Sequence, residues 1–172
     1  MRKANNCWPP RKEDYEYERR GTCNIFVAVE PKGGRREVAV TQRRTKAEFV
    51  HFICRLLATV YATVGLLHLV VDNLNIHFSK AFQEVLGAEA AAGVLTRLEF
   101  HHTPKRARWL NLAEVEISIM EKQCTGRRLA ERALVASEIA AWQHQRNVEK
   151  RGINWQFTRE KADRKLSHHY VT

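Results

Sequence analysis

The chain has 172 residues, 44% of them hydrophobic, which suffices for one domain with its own core, and no run approaches the about 18 apolar residues a membrane helix needs. The formal net charge is +10, distributed unevenly: residues 1–48 carry 12 Lys/Arg against 7 acids, residues 49–125 carry 7 of each, and residues 126–172 carry 10 against 5. A neutral middle between basic flanks suits a polyanion, nucleic acid above all, although a purely solubilising surface reads the same way.

Residues 1–22 are polar, include Pro9 and Pro10 together, and read as an arm or loop; they hold no apolar stretch of the kind a secretory signal needs. Cys23–Glu30 (CNIFVAVE) is rich in β-formers, Pro31-Lys32-Gly33-Gly34 is a turn by composition, and Arg36–Thr41 (REVAVT) alternates with Val38 and Val40 on one face. Together these predict a hairpin. Thr45-Lys46-Ala47-Glu48 fits a capping box, and the recurrence of Phe49, Ile53, Leu56 and Val60, with Val50, Leu57 and Val64 beside them, predicts a helix running to Gly65. Leu67–Val71 (LHLVV) is a short strand, apolar except for His68 and therefore expected to be buried. A second helix is expected from near Ser79, interrupted around Gly87 and resuming through the alanines to Leu98. Glu99–Thr103 is a short strand closed by Pro104, and Trp109–Cys124 a further helix.

The order strand, strand, helix, strand, helix, strand, helix predicts an α/β fold with one mixed sheet flanked by helices. Residues 23–125 form the core and residues 126–172 a basic, mainly helical extension, in which Leu134, Ile139 and Trp142 share a helix and Ile153, Trp155 and Phe157 alternate as in a strand or clip. The four cysteines are scattered, without CxxC or zinc spacing, and read as free thiols of a reducing cytosol.

Asp72 is the residue that points to chemistry. It stands at the carboxyl end of an apolar strand, where open α/β sheets place their sites, and a charge there needs a partner such as a hard divalent cation. Asn73, Asn75 and His77 follow it. Glu114 and Glu116 are two apart on a helix, about 200° around the axis, so only one of them can share a site with Asp72. Glu114 shares its side with Ile117 and Glu121, and Glu116 points away. Glu114 also has a structural reading, as the third helical residue after an Asn111 N-cap. His77 has one as a histidine bonded to backbone. His101 and His102, adjacent on a strand, face opposite ways and are not by themselves a metal pair.

Val71-Asp72-Asn73-Leu74-Asn75-Ile76-His77 resembles the second-aspartate motif of bacterial insertion-sequence transposases of the mariner-like DDE superfamily. Thr103-Pro104-Lys105-Arg106-Ala107-Arg108-Trp109-Leu110-Asn111-Leu112-Ala113-Glu114 is similar to that family's third-acid motif, with Arg108 where the family usually has Ser. Tyr15–Thr22 with Asn24 and Phe26 resembles its early-strand motif, and Gln123-Cys124, Arg127-Arg128, Trp142 and Arg146-Asn147 match further on.

The resemblance implies a ribonuclease H-like fold. It also implies Asp72 and Glu114 as catalytic metal ligands for Mg²⁺ or Mn²⁺ in a two-metal site, with Asn73 and His77 as neighbouring or phosphate-contacting groups. Lys105, Arg106 and Arg108 are implied as contacts to DNA. The implied reaction is cleavage and strand transfer at transposon ends, the implied partners are transposon and target DNA, a second copy or a full-length transposase, and the implied location is the cytoplasm, at the nucleoid. Asp14, the one aspartate before Asp72, falls in the early-strand motif, so the strand carrying the family's first acid is expected to be missing. The chain is accordingly expected to be an amino-terminally truncated transposase of weak activity; the alternative is a non-catalytic fragment that binds DNA or regulates the full transposase.

Overall fold

β-Branched and aromatic residues give the chain its first elements. In the computed structural model, which describes residues 21–103 and 111–154 together with Glu160, Lys161 and Arg164, β1 (Asn24–Glu30) and β2 (Arg35–Thr41) pair antiparallel, with Val27 opposite Val38 and Phe26 opposite Ala39. Gly34 closes the turn at φ +68°, donating its N–H to the Glu30 carbonyl at 2.9 Å. A side chain there would strain the backbone and meet the Lys150 carbonyl carbon at 2.6 Å.

The predicted capping box is present. Thr45 accepts from the Glu48 N–H at 3.3 Å, and Glu48 accepts from the Thr45 N–H at 3.1 Å, opening α1 (Lys46–Ala58). The helix stops at Ala58, short of the expected Gly65. Thr59 donates its hydroxyl back to the Arg55 carbonyl at 2.8 Å, and Tyr61 N–H reaches the Leu56 carbonyl at 2.9 Å. Arg97, distant in sequence, donates to the carbonyls of Tyr61, Ala62 and Val64 at 2.7, 3.1 and 3.0 Å. A cation on the carbonyls beyond a helix end satisfies them without another helical turn.

β3 (Leu67–Val71) and β4 (Leu98–His102) pair parallel, joined by α2 (Ser79–Leu86) and α3 (Ala88–Leu95), which meet at Gly87. The second of these helices ends at Leu95, before the expected Leu98, because Leu98 already belongs to β4. After Asn111, α4 (Leu112–Met120) continues as a π turn (Glu121–Thr125), followed by α5 (Arg132–Glu149). Glu160, Lys161 and Arg164 are helical. Residues 1–20 of the expected arm, the basic stretch with Lys105, Arg106 and Arg108, and the Trp155 and Phe157 positions lie outside the described residues.

The described residues thus form a mixed α/β arrangement with helices α1–α5 flanking small sheets, but they do not form the expected single sheet. Among the described residues there are two two-stranded sheets, β1–β2 and β3–β4. The hairpin is packed on both faces. Phe26, Ala28 and Ala39 join α1 in one core with Phe49, Ile53, Phe82 and Leu98, while Val27 and Val38 join Met120, Ile139 and Trp142 in the other. The parallel pair is packed on one face only. Leu67, Leu69 and Phe100 lie against the first core, whereas Val70 is 59% exposed. The expectation of a buried β3 is therefore corrected. An apolar run implies burial on both faces only when something covers both.

Candidate active site

The parallel pairing carries Asp72 to the carboxyl ends of β3 and β4 and fixes what surrounds it. Thr103 N–H extends the ladder to the Val71 carbonyl at 2.9 Å, and Asn73 Nδ2 donates to the Thr103 carbonyl at 2.5 Å, locking the first residues beyond both strands together. Asp72 Oδ1 accepts the Leu74 N–H at 3.2 Å and lies 2.6 Å from His77 Nδ1. A carboxylate only accepts, so Nδ1 of His77 carries the proton. The His77 ring rests against Phe49, centroids 4.6 Å apart, and its carbonyl meets His102 Nε2 at 3.0 Å. The His102 ring stacks on Phe78 at 4.7 Å.

Burial pushes the pKa of His77 below its ordinary value. The hydrogen bond and charge of Asp72 oppose this, and the charges of Arg44 and His102 add to it. At neutral pH His77 is therefore an uncharged donor that orients Asp72 without neutralising it. Both hydrogen bonds to Asp72 fall on Oδ1, and among the described residues no Lys or Arg pairs with the carboxylate, which leaves Oδ2 to a further ligand.

Glu114, in the first turn of α4, is exposed, and so is Ile117 on the same side. Asn111 is the N-cap, but its side chain accepts from Ala113 N–H at 3.2 Å, not from Glu114. The reciprocal pair with Glu114 is thus not made, and among the described residues that carboxylate has no ion-pair partner. α4 packs on β1, so Glu114 belongs to the hairpin side of the molecule and Asp72 to the parallel pair. The structure gathers Asp72, Asn73 and His77 with His102 and Thr103. It does not add Glu114 to that hydrogen-bonded group.

Glu116 is fully buried and committed elsewhere. Arg36 grips it bidentately at 2.9 and 3.2 Å, and Arg146 donates to its Oε1 from Nε and Nη2, both at 3.1 Å. Arg36 also donates to the Gly34 and Arg151 carbonyls at 2.6 and 2.8 Å. This buried Arg–Glu–Arg group joins β2, α4 and α5 and removes Glu116 from any metal site. Arg36 carried a legible signal, since it falls in register with Val38 and Val40 on the alternating strand. Two further motif residues are structural: Trp142 donates its indole N–H to Gln123 at 2.9 Å, and Asn147 bonds both the N–H and C=O of Arg36 at 2.7 and 2.8 Å.

A carboxylate at a strand end, held by a neutral histidine and with no Lys or Arg partner among the described residues, is chemically suited to a hard cation. No helix among the described residues is long and apolar enough to cross a membrane. No curated protein and no solved structure matches the chain. The profile of the DDE superfamily endonuclease, however, matches residues 9–134, which include Asp72, His77 and Glu114. The chain belongs to the DDE superfamily endonucleases.

Proposed function

We propose that the chain is the nuclease core of a mariner-like insertion-sequence transposase, ribonuclease H-like in fold, with Asp72 and Glu114 as two of its metal-holding acids. The observation that carries this reading is the Asp72–His77 pair at the end of the parallel strands, within the matched span. The split sheet supports the fold: an antiparallel hairpin and a parallel pair become one mixed sheet if another strand lies between β1 and β3. Mg²⁺ or Mn²⁺, held by Asp72 and Glu114, would supply Lewis-acid stabilisation of the scissile phosphate. His77 keeps the Asp72 carboxylate oriented, Asn73 fixes the strand end, and Lys105, Arg106 and Arg108 hold the DNA backbone. Residues 126–172 form the basic extension, and the protein acts in the cytoplasm, at the nucleoid, on transposon ends and target DNA.

Only two acids of the expected three are accounted for, and loss of one transition-state-stabilising group costs about 10²–10³ in rate. The isolated chain therefore cleaves slowly, and a complete site needs the third acid from another segment or polypeptide. The test is nicking of transposon-end DNA by the isolated chain with Mg²⁺ or Mn²⁺. Slow nicking that disappears in Asp72→Ala and in Glu114→Ala is expected. Robust nicking abolished by Asp72→Ala overturns the impairment, and slow nicking untouched by either variant overturns the site.

The same two-acid count favours a second reading, a non-catalytic fragment that binds DNA or the full transposase. It predicts binding that survives both acid variants, falls when Lys105 and Arg106 are neutralised, and weakens with salt.

A further inference from the structure

The outer face of the β3–β4 pair carries a second set of ligating side chains, away from the Asp72 group. His68 and Glu99 are direct partners in the parallel register, and His101 stands two residues along β4, opposite Val70. His68 Nδ1 lies 3.0 Å from His101 Nε2 and 3.3 Å from one oxygen of Glu99, and His101 Nε2 lies 3.4 Å from the other oxygen. One ligand atom from each of the three residues falls within 4.8 Å of the others.

Four-coordinate zinc with bonds of about 2.0–2.1 Å places its ligand atoms about 3.3 Å apart. The two imidazole nitrogens, 3.0 Å apart, already stand close to this spacing, and each lies within 3.4 Å of one oxygen of the Glu99 carboxylate. The donor set selects the ion: two imidazoles and one carboxylate suit zinc, copper or nickel, whereas magnesium and calcium prefer oxygen alone. The scaffold is also suitable, because all three residues sit on paired strands rather than on loops. His68 stands four residues before Asp72, roughly 13 Å along the strand at about 3.3 Å per residue, so the two groups are separate.

We propose that His68, Glu99 and His101 form a surface site for a divalent transition-metal ion, Zn²⁺ first, with a fourth position open to water. This site is independent of the nuclease reading and does not use its acids. Without an ion, the same contact is a hydrogen bond between two imidazoles beside a carboxylate, and metal titration separates the two states.

The metal-free full chain, titrated with Zn²⁺ in excess Mg²⁺, is expected to take up one ion per chain. Affinity should fall by at least about tenfold, the lower end of what even an outer-shell partner costs, in His68→Ala and in His101→Ala, and should be unchanged in Asp72→Ala. All three positions are partly or largely exposed, and circular dichroism of the variants establishes that they fold. Co²⁺ used as a probe should give four-coordinate visible absorption without a sulfur-to-metal band, lost in the same two variants. Absence of zinc uptake, uptake that persists in the double variant His68→Ala/His101→Ala, or a thiolate charge-transfer band overturns the proposal.

Discussion

Glu114 and Glu116 show how much one helical position decides. Glu114 faces solvent, and Glu116 is closed inside a cage of Arg36 and Arg146. Removing one partner of a buried ion pair leaves uncompensated charge, at a cost of about 3–5 kcal/mol. Glu116→Gln should therefore lower the unfolding free energy obtained from urea melts by an amount in that range, since it strands two guanidinium groups. Glu114→Gln should stay within about 0.5 kcal/mol of the parent while removing whatever nicking the chain has. A destabilised Glu114→Gln would return that residue to the structural role its spacing also allows. Tyr61 gives a residue-scale pH test. Burial and then the charge of Glu30, which accepts its hydroxyl at 3.3 Å, push its pKa up to about 12 from the ordinary 10. The folded value lies above the unfolded one, so the stability this hydroxyl contributes is complete below pH 10 and is lost as pH rises through about 12. The phenolate absorbance that Tyr61→Phe removes should accordingly appear near pH 12; a difference that develops near pH 10 would mean the Glu30 contact is not made in solution.

At the scale of elements, α5 serves β2 as a neighbouring strand would. Gln143 Oε1 accepts the Val38 N–H at 2.8 Å, and Asn147, one turn later, takes both backbone groups of Arg36. These are alternate residues of an edge that would otherwise present open hydrogen-bonding groups. Asn147→Ala leaves a donor and an acceptor unpaired, and should cost about 1–3 kcal/mol in denaturant melts. A loss below the scatter of surface substitutions would mean that water replaces the amide without cost. Part of this was legible in the sequence and part was not. The hairpin, the Thr45 box and the limits of β3 follow from local pattern, so local reading finds them. The end of α1 depends on Arg97, far along the chain, and local periodicity has no access to such a partner. Helical spacing separates Glu114 from Glu116, yet it does not say which of them meets the core. Asp72 and His77 are close in sequence and their pairing could be anticipated; its geometry awaited the fold.

Over the whole molecule, the two small sheets differ in what protects them. The hairpin has both faces in cores and its β2 edge bonded to α5, whereas the parallel pair has one apolar face buried and the other, with His68, Val70 and His101, in solvent. Two-stranded units are marginal alone and draw stability from what packs on them, and local opening follows the regions with fewest buried contacts. Amide hydrogen exchange should therefore find two levels within the chain. The N–H groups of Val27, Val38 and their ladder neighbours should exchange only through near-global unfolding. Those of Leu69, Val71 and Phe100 should exchange sooner, through an opening that leaves the hairpin intact. Uniform protection of both sheets would show that they unfold as one unit, and would remove the split sheet as support for a further strand between β1 and β3. Protection of the parallel pair that rises on addition of a segment supplying that strand, with the hairpin unchanged on its α5 side, is the outcome the ribonuclease H-like reading requires.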